Sequence, residues 1–371
     1  MKLNLILENK YFHKQLQNKI KDNKNFQLTS KITKDTILIV DDASYIPKTN
    51  TTILLTKNNI KTKHTKLFYY KSPETINELY SYLKQLYLNS NTKILLLNQN
   101  IDTLNKIKKE LQTQLYQIFT ASNPLEALEI YEKQKDIKIL ITTKNLPLMS
   151  GYELSSIIRR NLSFTEFGII GVSKAEDAND FFNIGANDFL KEDFNYSELI
   201  HRVNNLNKTL NSFLQLKESA NKDFLTGISN RKHFFEVANK IHTKSRNIAL
   251  AMIDIDNFKK INDTFGHDRG DEVIKSLANL LNNSIKGKDI VARVGGEEFI
   301  ILLQDIKTLD AINFLNGLCK EVSKLDFTVS IGLTTKKLSS LDEMITQADK
   351  LLYKAKESGK NCVISDMNLF V

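Results

Sequence analysis

Cysteine is almost missing from this 371-residue chain: Cys319 and Cys362 stand alone without metal-ligand spacing, and the six histidines form no cluster. That pattern argues against a Cys/His metal centre and fits a reducing cytoplasm. Thirteen glycines and four prolines are too few for a fibrous or largely disordered chain. No apolar run approaches the ~18 residues of a membrane span, so no membrane insertion is expected. The apolar stretch 1–7 meets Glu8 and Lys10 at once and is too short for a signal peptide. With 41% hydrophobic and 26% charged residues, the expectation is a soluble cytoplasmic protein of two or three domains.

A basic output module is missing too. The net charge is +9, but residues 1–91 alone carry +8, while 92–222 are neutral and 223–371 carry +1. A DNA-binding output module would carry its own basic face, so no nucleic-acid partner is expected. The lysines of the first block are scattered among Asn and Thr, which reads as a solvated surface.

What is present falls into blocks. Residues 1–91 show short apolar strands at 3–7, 37–40, 53–55 and 67–70, then a helix over 74–88. Residues 92–210 repeat the scheme with strands at 94–97, 137–141, 167–172 and 188–190 and helices at 124–133 and 152–160. Near-continuous apolar strands alternating with helices predict parallel sheets covered on both faces, with ligands at the carboxyl ends of the strands. Residues 205–222 read as a linker helix that overlaps the longer helical pattern 196–218. Its apolar residues Leu199, Val203, Leu206, Leu210 and Phe213 are spaced 4, 3, 4 and 3, a two-heptad seam. That seam serves either packing on the preceding domain or pairing across a dimer.

The second block carries Leu146-Pro-Leu-Met-Ser-Gly-Tyr-Glu-Leu154 after a strand and Gly185-Ala-Asn-Asp-Phe-Leu-Lys191 later. It resembles the response-regulator receiver domain, a flavodoxin-like doubly wound fold. The resemblance implies a phosphoacceptor Asp where this chain has Thr143, and acidic metal ligands where it has Asn98-Gln99-Asn100. A hydroxyl and amides replace neither. Ser173 and Lys191 remain at the family's switch positions, so the block reads as an adaptor without phosphorylation. Residues 1–91 resemble a shortened receiver. There the resemblance implies Asp41 or Asp42 as phosphoacceptor, with Glu8, Thr56 and Lys71 in support and a sensor histidine kinase as partner.

The block 223–371 carries the chemistry. Asp223-Phe-Leu-Thr-Gly-Ile-Ser-Asn-Arg231 opens it as a polar turn before a helix. A buried strand over 248–253 ends in Asp254-Ile-Asp256 and runs into Asn257–Asp271. Arg293-Val-Gly-Gly-Glu-Glu-Phe299 lies between apolar runs and predicts a hairpin whose two central glycines take positive φ. Glu297 and Glu298 at its tip and Asp254 at the strand end make an oxygen-rich site suited to Mg²⁺ or Mn²⁺. Two such ions can assist a phosphoryl displacement. Lys259 could offset phosphate charge, Asn262 and Asp271 could read a base edge, and Arg293, Lys356 and Lys360 could contact phosphates.

These residues, with the closing run Ala348–Asn361, resemble the GGDEF-domain diguanylate cyclases over nearly the whole block, in the response-regulator type with two N-terminal receivers. The resemblance implies a ferredoxin- or palm-like βαββαβ core, condensation of two GTP into cyclic di-GMP, and a homodimer, since each domain holds one GTP. It implies Asp254, Glu297 and the Ile255 carbonyl as ligands of two Mg²⁺ or Mn²⁺ per site, with Glu298 in support and Glu297 as base. It further implies Lys259 for transition-state charge, Asn262 and Asp271 for guanine, Asn257 and Phe258 as substrate contacts, and Lys356 and Lys360 for phosphates. Glu297 stands for the signature Asp and keeps the carboxylate; Lys360 stands where Arg is common. The family's product-inhibition Arg-x-x-Asp reads Lys286-Gly-Lys-Asp289, where a lysine loses the planar donor fork. The alternative is a catalytically silent scaffold that binds GTP or cyclic di-GMP.

Overall fold

A computed structural model describes residues 1–7, 10–31, 36–40, 52–56, 65–69, 74–245, 247–285 and 287–367. The chain divides into two compact units, Met1–Gln215 and Leu216–Val371. Among the described residues, no helix is long and apolar enough to cross a membrane.

The first unit holds two five-stranded sheets. One is built from β1 (Lys2–Ile6), β2 (Gln27–Leu28), β3 (Thr36–Val40), β4 (Thr52–Thr56) and β5 (Thr65–Tyr69), with α1 (Lys10–Lys21) and α2 (Glu74–Ser90). Its order is β2-β1-β3-β4-β5, and every pairing is parallel. The other contains β6 (Lys93–Leu97), β7 (Gln117–Ala121), β8 (Ile137–Thr143), β9 (Gly168–Ser173) and β10 (Asp188–Lys191). Its helices are α3 (Ile101–Thr113), α4 (Pro124–Lys133), α5 (Gly151–Arg159), α6 (Ala178–Asn183) and α7 (Tyr196–Ala220). Its order, β10-β9-β8-β6-β7, is the same doubly wound sequence, again all parallel. The two-residue β2 and the edge strand β7, in which Ala121 alone is buried, carry too little apolar pattern to stand out in the sequence.

The 4-3-4 part of the helical seam has a local use. Leu199, Val203, Leu206 and Leu210 pack with Ile94, Leu96, Ile139 and Ile170 on one face of the second sheet. Phe213 does not join them and is 42% exposed, as is Leu214, with Leu216 at 66%. A polar network also ties α7 to α2. The buried Asn207 amide donates to Asn89 Oδ1 at 3.0 Å, and the Tyr116 hydroxyl donates to Asn204 Oδ1 at 2.7 Å. A buried amide needs such partners, so these residues specify which faces meet.

The second unit contains β11 (Ser229–Asn230), α8 (Arg231–Lys244), β12 (Ile248–Ile255), α9 (Phe258–Phe265), α10 (His267–Ser284), β13 (Ile290–Gly295), β14 (Glu298–Gln304), α11 (Thr308–Val322), β15 (Val329–Thr334), α12 (Leu341–Glu357) and β16 (Val363–Ser365). The sheet order is β11-β13-β14-β12-β15-β16, with β12 antiparallel to both neighbours. The run from β12 through β15 is the βαββαβ arrangement. Along β12, side chains alternate between faces as in any strand. Ala249, Ala251, Ile253 and Ile255 pack with α10 and α11, whereas Ile248, Leu250 and Met252 pack with α8 and α12. Asp254 continues the second set, so it stands at the end of the face that α12 covers.

The hairpin differs from expectation. Gly295 pairs with Glu298, so the two central residues are Gly296 and Glu297, and the register shifts between Arg293 and Gly295. Neither Gly295 nor Gly296 has a positive φ. The bulge, rather than left-handed glycines, supplies the extra twist that closes the turn.

Candidate active site

Asp254 lies at the carboxyl end of β12, directly opposite Glu298 in β14 and Ser330 in β15. Its carboxylate is almost buried and accepts from the Lys356 ammonium at 2.8 Å, which the last turn of α12 delivers. Burial pushes the Asp254 carboxyl above the usual aspartate range; Lys356 pulls it down, and the charges of Glu297 and Glu298 add to the rise. Three acidic groups therefore share one electrostatic environment at the hairpin tip. Among the described residues, no three His, Cys, Asp or Glu side chains already converge on one metal position. All the donors here are hard oxygens, and Mg²⁺ is commonly held by one or two carboxylates with substrate phosphates completing the shell. The donor set fits that kind of site.

Lys259 is exposed on the first turn of α9, and Asn257 precedes that helix with a left-handed φ of 57°. Phe258, half-buried, packs against the core below. Asn262 lies across Gly270, where an added Cβ would come within 2.0 Å of its Oδ1. That Oδ1 is buried and accepts no hydrogen bond. An orphaned acceptor is costly in a finished structure and points to a missing donor such as a ligand N–H. Asp271, half-buried, follows one residue after that glycine. An added Cβ at Gly296 would meet nothing within 4 Å, so neither packing nor φ demands glycine there. The bare backbone leaves room for something outside the chain.

Arg293 is engaged within the protein. Its Nε donates to the Gly296 carbonyl at 2.9 Å, and its Nη1 pairs with Asp223 Oδ1 at 3.2 Å. Asp223 Oδ1 also accepts the Thr226 N–H at 3.0 Å and hydroxyl at 2.7 Å. Burial alone would raise the Asp223 carboxyl, but Thr226 and the Arg293 guanidinium together hold it below the usual range. Arg293 thus clamps the hairpin tip to the opening turn instead of pointing a free fork at phosphate. The Asp-x-x-Thr spacing carried a signal for this turn, because Asp commonly caps backbone N–H groups just after it. Asp289 Oδ1 accepts the Gln304 N–H at 2.9 Å, which commits part of that carboxylate to the strand end. Lys286 lies outside the described residues.

Residues 220–362 match the family model for the diguanylate cyclase GGDEF domain, and residues 94–204 match that for the response regulator receiver domain. The chain is 38% identical over 163 residues to a probable diguanylate cyclase, DgcT, of Escherichia coli K12, covering 40% of this chain and 36% of that protein. It is 33% identical over 212 residues to the response regulator PleD of Caulobacter vibrioides, covering 49% and 45%. The matches thus span less than half of either relative. A solved structure of the coiled coil and GGDEF domain of DgcB from Caulobacter crescentus, in complex with c-di-GMP, is 27% identical. It covers 46% of this chain and 97% of that one, with a TM-score of 0.43.

In the receiver domain, a cavity of about 350 Å³ opens at the carboxyl ends of β6 and β8. Asn98, Gln99, Asn100, Thr143 and Asn145 line it, with Glu192 its one carboxylate. Amides and a hydroxyl leave little charge for Mg²⁺. The Ser173 hydroxyl donates to Asp177 Oδ2 at 2.6 Å, and the Lys144 ammonium reaches Asp177 Oδ1 at 2.5 Å. Lys191 is exposed. Of the residues assigned to the first block, Glu8, Asp41, Asp42 and Lys71 lie outside the described residues, as does the side chain of Thr56, which ends β4.

Proposed function

We propose that this chain is a diguanylate cyclase that condenses two GTP into cyclic di-GMP and two pyrophosphates as the output of a response regulator. One observation carries the proposal: within the GGDEF match, a buried carboxylate ends a central strand opposite Glu298, beside a turn bearing Glu297. Asp254 and Glu297, with the Ile255 carbonyl and Glu298 in support, would hold two Mg²⁺ or Mn²⁺. Bound there, the metal would neutralise charge on the reacting phosphates.

The chain's own residues do the rest. Asn262 and Asp271 orient guanine, the orphaned Asn262 Oδ1 accepting a base N–H, with Asn257 and Phe258 against the nucleotide. Lys259, Lys356 and Lys360 offset phosphate charge. Glu297 accepts the proton of one ribose 3′-hydroxyl as its oxygen bonds to the α-phosphorus of the facing GTP and pyrophosphate leaves. Arg293 acts through the hairpin, holding Gly296 in place. Two facing half-sites require a homodimer, and the apolar residues Phe213, Leu214 and Leu216 on α7 favour pairing along that helix.

The strand order of the first sheet supports a second receiver at 1–91. We assign phosphorylation to Asp41 or Asp42 by a sensor kinase, with Glu8, Thr56 and Lys71 around it, and an adaptor role to 92–210. Phosphorylation that favours pairing would raise the effective concentration of the half-sites.

The test is purified protein incubated with GTP and Mg²⁺, with the nucleotides separated by chromatography. Cyclic di-GMP is the expected product. Dimeric protein that binds GTP yet makes none, with or without a phosphodonor, overturns the proposal in favour of a nucleotide-binding scaffold.

A further inference from the structure

Asp256 lies two residues beyond Asp254, in the turn directly after β12, and is 4% exposed. A buried carboxylate must find donors, and it finds them on distant segments. The Thr328 hydroxyl donates to Oδ2 at 2.7 Å and the Ser330 hydroxyl to Oδ1 at 2.6 Å, both at the start of β15. The Asn361 backbone N–H donates to Oδ2 at 3.0 Å. The Asp256 N–H in turn donates to the Thr328 carbonyl at 2.9 Å.

Asn361 belongs to the turn after α12, where Gly359, Lys360 and Asn361 take φ of 105°, 66° and 48° in succession. Lys and Asn hold left-handed backbone in a row only where their surroundings over-determine it. Two bonds do so here: the Asp256 carboxylate on the Asn361 N–H, and the Ala355 carbonyl on the Lys360 N–H at 3.1 Å. The outcome is a placed cation. Lys360 Nζ donates to Asn257 Oδ1 at 2.5 Å, beside the amino end of α9. Asn257 follows Asp256 directly, so one dipeptide holds both the backbone and the ammonium of this turn.

We propose that Asp256 is a positioning residue for the terminal phosphates of the nucleotide, setting the turn that presents Lys360. The inference rests on the GTP reading of this site and adds a residue that acts through another. Preorganisation is its physical content, because a lysine already placed loses less freedom on binding.

The test uses 3′-deoxy-GTP and 3′-deoxy-GMP carrying a fluorescent N-methylanthraniloyl group on the 2′-oxygen, which lack the attacking hydroxyl and so cannot turn over, and the full-length protein. Asp256→Asn and Lys360→Met should each weaken GTP binding about tenfold, or ~1.4 kcal/mol, and leave GMP binding within about twofold of the parent. The double variant should be no weaker than the weaker single, since Asp256→Asn misplaces the same ammonium that Lys360→Met removes. Asp256→Asn with parental GTP affinity, equal loss of GTP and GMP, or a double variant near the product of the singles would each overturn the inference. If Asp256→Asn melts below the assay temperature, Ser330→Ala removes one donor, keeps the carboxylate and is judged by the same GTP-to-GMP contrast. Parent protein that binds neither nucleotide defeats the GTP reading and this inference with it; parent that binds GTP beside an unaffected Asp256→Asn defeats this inference alone.

Discussion

Two glycines of the GGDEF domain should respond to alanine in opposite ways. Gly332 lies in β15 beneath α12. A Cβ there would sit 2.1 Å from the Ala348 carbonyl oxygen, 2.1 Å from the Leu352 nitrogen and 2.8 Å from the Leu351 carbonyl carbon. All three are backbone atoms, so no rotamer change relieves the overlap. Ordinary carbon contacts need about 3.5 Å, so the helix must retreat by more than ~1 Å. That retreat loosens Met344, Ala348, Leu351, Leu352 and Ala355, all buried under α12. A radial gap of ~1 Å forfeits up to about half of each dispersion contact. With the usual overpacking cost of about 1–3 kcal/mol, we expect Gly332→Ala to cost about 3 kcal/mol, lowering the melting temperature by roughly 6–12 °C. The same movement draws Lys356 away from Asp254. Gly296→Ala should melt like the parent, because its Cβ meets nothing within 4 Å, yet lose most GTP turnover. Thermal melts followed by circular dichroism and chromatographic assay of cyclic di-GMP measure both. A Gly332→Ala protein melting within about 2 °C of the parent would refute the packing argument. Full turnover by Gly296→Ala would show that the room above Gly296 is not needed by the substrate.

Glu297→Gln should abolish cyclic di-GMP formation with an unchanged melt; near-normal rates would remove Glu297 as the base. Because the Asp223 carboxyl is held below its ordinary 3.8, its ionised form stabilises the fold above about pH 4, and that contribution is lost as pH falls through the lower folded value. The denaturant midpoints of parent and Asp223→Asn should therefore differ at pH 7 and draw together as the pH is taken down through the lowered folded value; a gap that stays constant throughout that descent would exclude the Arg293 link as its cause. Burial pushes the Cys319 thiol up to about 12, so iodoacetamide at pH 8 should label Cys362 well before Cys319, read by peptide mass spectrometry. Lys286→Arg should strengthen inhibition by added cyclic di-GMP roughly tenfold, one charge-assisted bond being worth about 1.5–3 kcal/mol; equal inhibition of both proteins would show that the lysine costs nothing.

Legible in the linear chain were the alternation that makes β6, β8 and β12, the helix that becomes α4, and the acidic candidates Asp254, Glu297 and Glu298. Each is a local pattern: a period, a run of apolar residues, or a short motif carrying its own chemistry. The sequence also put Thr143 and Asn98 at positions where the receiver resemblance implies acids. Tertiary structure decided which of two neighbouring glutamates faces Asp254, since antiparallel register puts Glu298 opposite it and Glu297 on the turn. It decided that the seam of α7 is spent on its own receiver as far as Leu210, because a heptad spacing reads alike whether it meets a sheet or a second helix. It also decided the partners of Arg293 and Asp256. Asp223 lies 70 residues from Arg293, and Asn361 lies 105 residues from Asp256. Contacts at such separations are set by where the sheet brings strand ends together, and no local pattern of residues records them.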